Sequence, residues 1–179
     1  MPMIHVHYQA GSLSAERKTA LAEHLTRILI EIEGGPAADG PKARSIAWVM
    51  FFEVPEGSWA IGGAFDDTYV SPPGKFLVNV QVPEGALSKA RKLAVHHRVD
   101  AALFEAFGIA PPVDPTDRLP SVFVQITEWP EGNMGARGRT YGLADIGEYT
   151  GAGNPEVHEH SKRYLIARAK LRAGAGFPE

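Results

Sequence analysis

Residues 3–8 (Met-Ile-His-Val-His-Tyr) alternate apolar and polar side chains, and residues 76–82 (Phe-Leu-Val-Asn-Val-Gln-Val) do the same. A period of two puts successive side chains on opposite faces, so both segments read as strands. The pattern then changes to a helical spacing. Leu21, Leu25, Ile28, Leu29 and Ile32 follow the first strand, and Val95, Val99, Ala102, Leu103 and Ala106 follow the second. Each set forms one apolar stripe on a helix. Ser14 and Ser88 stand where a helix N-cap is needed, because a serine oxygen can accept from the free amides of the first turn. Gly34-Gly35-Pro36 ends the first helix and Gly108 the second. Two more apolar runs, Ile46–Val54 and Ser121–Trp129, read as strands, and each runs into Pro-Glu-Gly, a turn signal. Residues 109–120 hold four prolines and read as a loop. Residues 154–172 predict a last helix, with Asn154 as cap, Pro155 in the first turn, and Val157, Tyr164, Leu165 and Leu171 as its apolar positions. It is basic (Lys162, Arg163, Arg168, Lys170, Arg172), which fits a solvated strap over a neighbouring surface better than an anion-binding tail.

The two halves are copies of each other. At an offset of 74, Gly11, Leu13, Ser14, Arg17, Lys18 and Ala20 fall on Gly85, Leu87, Ser88, Arg91, Lys92 and Ala94. At an offset of 75, Val49, Glu53, Pro55, Glu56, Gly57 and Gly63 fall on Val124, Glu128, Pro130, Glu131, Gly132 and Gly138. A repeated unit bounds the architecture before any motif is considered. The expected fold is α+β: two tandem β-α-β units forming a four-stranded sheet with two helices on one face, plus a C-terminal helical extension. The first unit spans 1–63, a linker 64–75, the second unit 76–146, and the extension 147–179. Helices on one face leave the other uncovered, and it carries Trp48, Met50 and Phe52 or their alternates. An apolar second face predicts a homo-oligomer.

Composition removes other classes. The 179 residues are 44% apolar, with a net charge of −3 and no cysteine. Disulfide scaffolds, thiolate zinc sites and cysteine nucleophiles are excluded. The near-neutral balance argues against nucleic acid as a partner. No apolar run reaches the roughly 18 residues of a membrane span, and Met-Pro-Met-Ile-His-Val-His has no signal-peptide pattern. The expectation is a cytoplasmic protein. Walker, Gly-x-Ser-x-Gly and dinucleotide motifs are missing, so no cofactor is implied. His5 and His7 share a strand face and could in principle bind a metal, but no third ligand stands at a convincing spacing, so no metal is expected.

Pro2 is the most informative residue. Removal of the initiator Met would leave a free secondary amine at the chain start, both a base and a nucleophile. An α-amino group titrates near pH 7.7–8.0, and burial or nearby cations lower that value toward neutrality. A base poised there suits proton transfer.

With Pro2-Met3-Ile4, the Ser14-to-Lys18 helix start and Gly57-Ser-Trp-Ala-Ile-Gly-Gly63, the chain resembles the tautomerase superfamily, specifically the fused two-unit relatives of 4-oxalocrotonate tautomerase. The likeness is good over residues 2–63, weaker over 76–140, and absent over 147–179. It implies a tautomerase/MIF-like fold, a trimer, and a cofactor-independent isomerase whose N-terminal proline moves a proton on an enol or 2-oxo acid. Pro2 would be the catalytic base and Trp59 the aromatic wall of the pocket. The family's two carboxylate-binding arginines correspond to Ser12 and Trp48 here, and the second unit offers Ala86 and Phe123 at those places. Phe76 stands where a second proline would be. Arg137 and Arg139, on the second unit's copy of the Trp59 hairpin, are the best candidates for replacement cations toward a small-molecule carboxylate, and Tyr141 is a further binding candidate. Three alternatives stay open: the related decarboxylation of malonate semialdehyde or dehalogenation of cis-3-haloacrylate; a ferredoxin-like dimeric α+β barrel; and an oligomeric binding protein without activity.

Overall fold

The computed structural model describes residues 3–35, 38–150 and 155–176. Strand β1 (Met3–Gln9) leads to α1 (Ala15–Gly34), a short α2 (Pro41–Ile46) and β2 (Trp48–Val54). Strand β3 (Phe76–Pro83), α3 (Lys89–Ala106) and β4 (Val122–Trp129) repeat the plan. A small hairpin of β5 (Met134–Ala136) and β6 (Arg139–Tyr141) follows, then α4 (Leu143–Thr150) and α5 (Pro155–Gly174).

The sheet order is β2-β1-β3-β4. β1 and β2 are parallel, as are β3 and β4, while β1 and β3 meet antiparallel at the centre. Each unit therefore keeps its own strands side by side. A ferredoxin-like barrel would split each parallel pair by inserting another strand, so that reading is corrected here.

Period-two alternation sorts the strands as expected. Ile4, Val6 and Tyr8 of β1 and Phe76, Val78, Val80 and Val82 of β3 are all buried. They pack on Leu21, Leu25, Ile28 and Leu29 of α1 and Val95, Val99 and Leu103 of α3 in one continuous core. Burying each such side chain contributes about 1.5–3 kcal/mol. Both predicted caps form: the Ser14 hydroxyl accepts from the Arg17 amide at 3.3 Å and the Ser88 hydroxyl from the Arg91 amide at 3.4 Å. Gly35 ends α1 with φ 84°, a left-handed conformation that favours glycine.

The duplication has a geometric signature. His5 lies opposite Asn79 across the central strand pair, and Asn79 is its own copy at the offset of 74. Only at this pair does a residue face its counterpart, so the pseudo-twofold axis passes between these two strands there.

The sequence reading differs from the structure in three places. Ile46 closes α2 rather than opening a strand, and β2 begins at Trp48. Helix α2 is held by Arg44, whose guanidinium donates to Asp39 at 2.6 and 2.8 Å and to Glu23 of α1 at 2.8 Å through both terminal nitrogens. Helix α4 was not expected at all. Its first amides are satisfied by carboxylates: Gly142 donates to Asp145 at 2.7 Å and Leu143 to Glu131 at 3.0 Å. Helix α5 is longer than expected, and its predicted cap, Asn154, lies outside the described residues.

α5 is a strap over the turn between β3 and α3. The Ser161 hydroxyl, buried, donates to the Gly85 carbonyl at 3.0 Å, and Arg168 forms an ion pair with Glu84. The Tyr164 ring lies so close to Gly85 that a Cβ there would collide with it. The equivalent turn of the first unit, at Gly11, has nothing within 4 Å of the same position.

Candidate active site

The topology gives the sheet two distinct ends. Met3 opens β1 at one end, where it pairs with Trp48 at the start of β2 and with Gln81 near the end of β3. β4 also finishes there, since Trp129 pairs with Pro83. At the other end β1 finishes beside Val54, and β3 begins at Phe76. A strand of seven residues separates the two ends by roughly 23 Å.

Pro2, the expected base, lies outside the described residues, and its chain neighbour Met3 marks its end of the sheet. The hairpin of Arg137 and Arg139 follows β4 and so belongs to this end. Its two-residue turn is Arg137-Gly138, with φ 54° and 72°. Two positive φ values define a type I′ turn, whose twist suits a tight hairpin. Arginine is an unusual choice for the left-handed region, which Gly, Asn and Asp enter most readily. The Arg137 guanidinium sits 5.6 Å from the centre of the Tyr149 ring on α4. Arg139 is exposed on β6 and Tyr141 is half-buried opposite Met134. The buried indole N–H of Trp129 has no hydrogen-bond partner among the described residues.

Trp59 lies elsewhere. Its hairpin follows β2, so within one chain it sits at the far end from Met3, half-buried. Lys75, buried just before β3, ties that region together by donating to the carbonyls of Phe65 at 2.8 Å and Trp59 at 3.4 Å. One chain therefore brings Arg137, Arg139 and Tyr141 to the Met3 end and does not bring Trp59 there.

The positions that depart from the family pattern have other duties. Ser12 donates its hydroxyl to the Gln9 carbonyl at 2.8 Å, shaping the β1–α1 turn. Ala86 is buried. Trp48 and Phe123, at 57% and 59% exposure, stand on the open sheet face. His5 and His7 share that face, His5 edge-on to Phe52 and His7 stacked on it, with ring centres 5.2 and 4.8 Å away. Burial, and secondarily the charge of His5, hold the His7 imidazole below its ordinary pKa. Among the described residues no three His, Asp or Glu side chains are grouped to hold a metal ion.

The sequence reading missed three groups at the Met3 end. Lys42 and Ser45 of α2 and Tyr149 of α4 converge with Arg137. Lys42 Nζ lies 5.7 Å from the Tyr149 ring centre, and the Ser45 and Tyr149 hydroxyl oxygens are 3.4 Å apart. Hydrogen bonding from Ser45 and Arg137, reinforced by the charges of Arg137 and Lys42, holds the Tyr149 phenol below its ordinary pKa.

No protein-family model matches the chain, and no curated protein matches it. Solved structures do. Pt0534, in a form inactivated by 2-oxo-3-pentynoate, is 23% identical with a TM-score of 0.59, over 81% of this chain and 98% of that one. The F6 fused 4-OT, a wild-type asymmetric trimer, is 20% identical with a TM-score of 0.58, over 77% and 94%. N1, a member of the cis-3-chloroacrylic acid dehalogenase family, is 19% identical with a TM-score of 0.61, over 90% and 99%. The chain shares the fold of these structures, two tandem β-α-β units on one four-stranded sheet.

Proposed function

We propose that this chain is a tautomerase-superfamily isomerase that moves a proton on enol or 2-oxo acid substrates, with the Pro2 amine as base and then acid. The observation that carries this reading is the placement of a cation-bearing hairpin at the sheet end where β1 begins. In this reading the uncharged amine of Pro2 takes a proton from one end of the conjugated system and returns it to the other. Arg137 and Arg139 hold the carboxylate, and Tyr141 lines the pocket. The positive charges of the two arginines also favour the neutral amine, the form a base requires.

Trp59 enters a Pro2 site only from a neighbouring chain. The open sheet face supports such an assembly, because Trp48, Met50, Phe52, Leu77 and Phe123 lie there with no charged side chain on the strand positions of that face. The trimeric fused 4-OT supports three copies as the form. Pt0534, inactivated by a 2-oxo acid, supports the substrate class. Among the described residues no helix is long and apolar enough to cross a membrane, and a cytoplasmic location is part of the proposal.

The test is ketonisation of phenylenolpyruvate and 2-hydroxymuconate by protein whose terminus is shown by mass to begin at Pro2. Pro2→Ala is expected to lose about a hundredfold or more in kcat/KM. Turnover that survives Pro2→Ala unchanged overturns the reading. The greater reach of the N1 likeness along the chain favours one second reading, hydration of a cis-3-haloacrylate by the same amine. Chloride release from cis-3-chloroacrylate separates it from isomerisation.

A further inference from the structure

The geometry points to Lys42, Arg137 and Tyr149, beside Ser45, as one carboxylate-binding site in which the protonated Tyr149 hydroxyl is a required donor. The inference rests on the proposed 2-oxo acid reading and names further residues that would recognise the acid.

Three separate elements supply the cluster: α2, the β5–β6 turn and α4. Lys42 and Arg137 flank one aromatic ring at 5.7 and 5.6 Å, and neither forms an ion pair with a carboxylate among the described residues. The nearby Arg44 differs, since Glu23 and Asp39 already neutralise it. Both cations are exposed and approach the same ring, so an anion bound at that ring's edge is attracted by each. Tyr149 adds a hydroxyl donor 3.4 Å from the Ser45 oxygen, whose own hydrogen goes to the Lys42 carbonyl at 2.7 Å. Two cations and one hydroxyl donor match the acceptor-only oxygens of a carboxylate. Arg137 reaches the cluster from a left-handed turn position, φ 54°, where glycine would be easier. The side chain explains why a non-glycine residue stands there.

The groups that bear on Tyr149 are few. Lys42 and Ser45 approach from α2 and Arg137 from the turn, while its own helix carries Asp145, bound to the Gly142 amide, and Glu148. The two cations that attract a carboxylate also favour the phenolate. Once formed, the phenolate occupies the same positive field and competes with the ligand. Binding and Tyr149 ionisation are therefore linked, and each must weaken the other by the same factor.

The test uses the full chain labelled with 13C at the tyrosine Cζ, titrated by NMR with pyruvate as probe, with Tyr149→Phe to assign the resonance. The expected result has three parts. Tyr149 ionises at lower pH than free tyrosine, and saturating pyruvate raises that midpoint. Pyruvate affinity falls through the same alkaline range in the parent and stays flat in Tyr149→Phe. Lys42→Ala and Arg137→Ala each weaken pyruvate about tenfold or more. A Tyr149 midpoint that pyruvate leaves unmoved overturns the inference. So does pyruvate affinity unchanged in the Lys42→Ala/Arg137→Ala double variant, or no pyruvate binding at millimolar concentration. The wider reading fails differently: turnover then survives Pro2→Ala, whatever Tyr149 does.

Discussion

The two β-α-β units share a plan and differ at almost every position where chemistry is at stake. Both tie the start of their helix to their second strand with a copied lysine–glutamate pair. In the second unit Lys92 and Glu128 meet at 2.7 Å, and Glu128 also accepts from the Gly85 amide at 3.3 Å. In the first, Lys18 and Glu53 stand 3.8 Å apart, and Glu53 accepts instead from the Tyr8 hydroxyl at 2.8 Å. The turn at Gly85 is covered by α5, whereas the turn at Gly11 is open. One hairpin carries Trp59 and the other Arg137 and Arg139. The difference teaches that the duplicated core enforces symmetry, because each copy buries the same stripe against the same sheet. The loops and added helices are free of that constraint, and there the copies have diverged.

That comparison sharpens or breaks by measurement. Leu29 and Leu103 are copies, both fully buried. Leu29→Ala and Leu103→Ala are each expected to lower unfolding stability by about 2–5 kcal/mol, by similar amounts, in urea titration. A gap between them wider than that spread would break the claim of an equivalent core.

Gly11→Ala and Gly85→Ala come next. Both glycines have positive φ, 77° and 75°, so each substitution costs about 1–2 kcal/mol in backbone strain. Only at Gly85 does the new methyl group collide with Tyr164. Gly85→Ala should lose a further 1–3 kcal/mol or so and expose α5 to hydrogen exchange. Equal losses and an unchanged α5 would mean that the strap is not anchored there.

A smaller difference is expected for the carboxylates. Glu128→Gln should cost about 1 kcal/mol by thermal unfolding and Glu53→Gln less, given the longer ion pair in the first unit.

The smallest effect is in pH. His5 and His7 belong to the first unit, and their copies are Asn79 and Gln81. The folded His7 resists protonation, so the unfolded chain binds that proton more readily. Stability is then full above the ordinary histidine pKa and declines as pH falls from there through the depressed folded value. His7→Gln, which restores the second unit's residue, should flatten that part of the acid limb.

Much of this fold was legible because the core is written twice. Alternation in 3–8 and 76–82 fixed which faces are buried, and Ser14 and Ser88 marked both helix starts. The remainder was hidden for local reasons. Ile46 reads as continuous with the apolar run that follows it, which concealed α2. Gly147, a poor helix former, interrupts Leu143–Thr150 and concealed α4. The arginines of the second hairpin were visible as a departure from their copy. Lys42, Ser45 and Tyr149 were not, because none has a matching residue in the other copy and only the packing of α4 on α2 brings them together. Trp59 could be picked out as the hairpin aromatic, but which end of the sheet it occupies depends on strand order, and no spacing in the sequence states that.

The pair at the pseudo-twofold axis has one more consequence. Were the two units separate, identical chains paired as these halves are, position 5 would confront itself, imidazole against imidazole, with backbones about 4.5–5.5 Å apart. Any change at that position would then occur on both sides at once. Joining the copies into a single polypeptide releases that site from self-pairing. Asn79 is the record of that freedom: an amide that never gains charge now stands opposite the one histidine that would otherwise have met its twin.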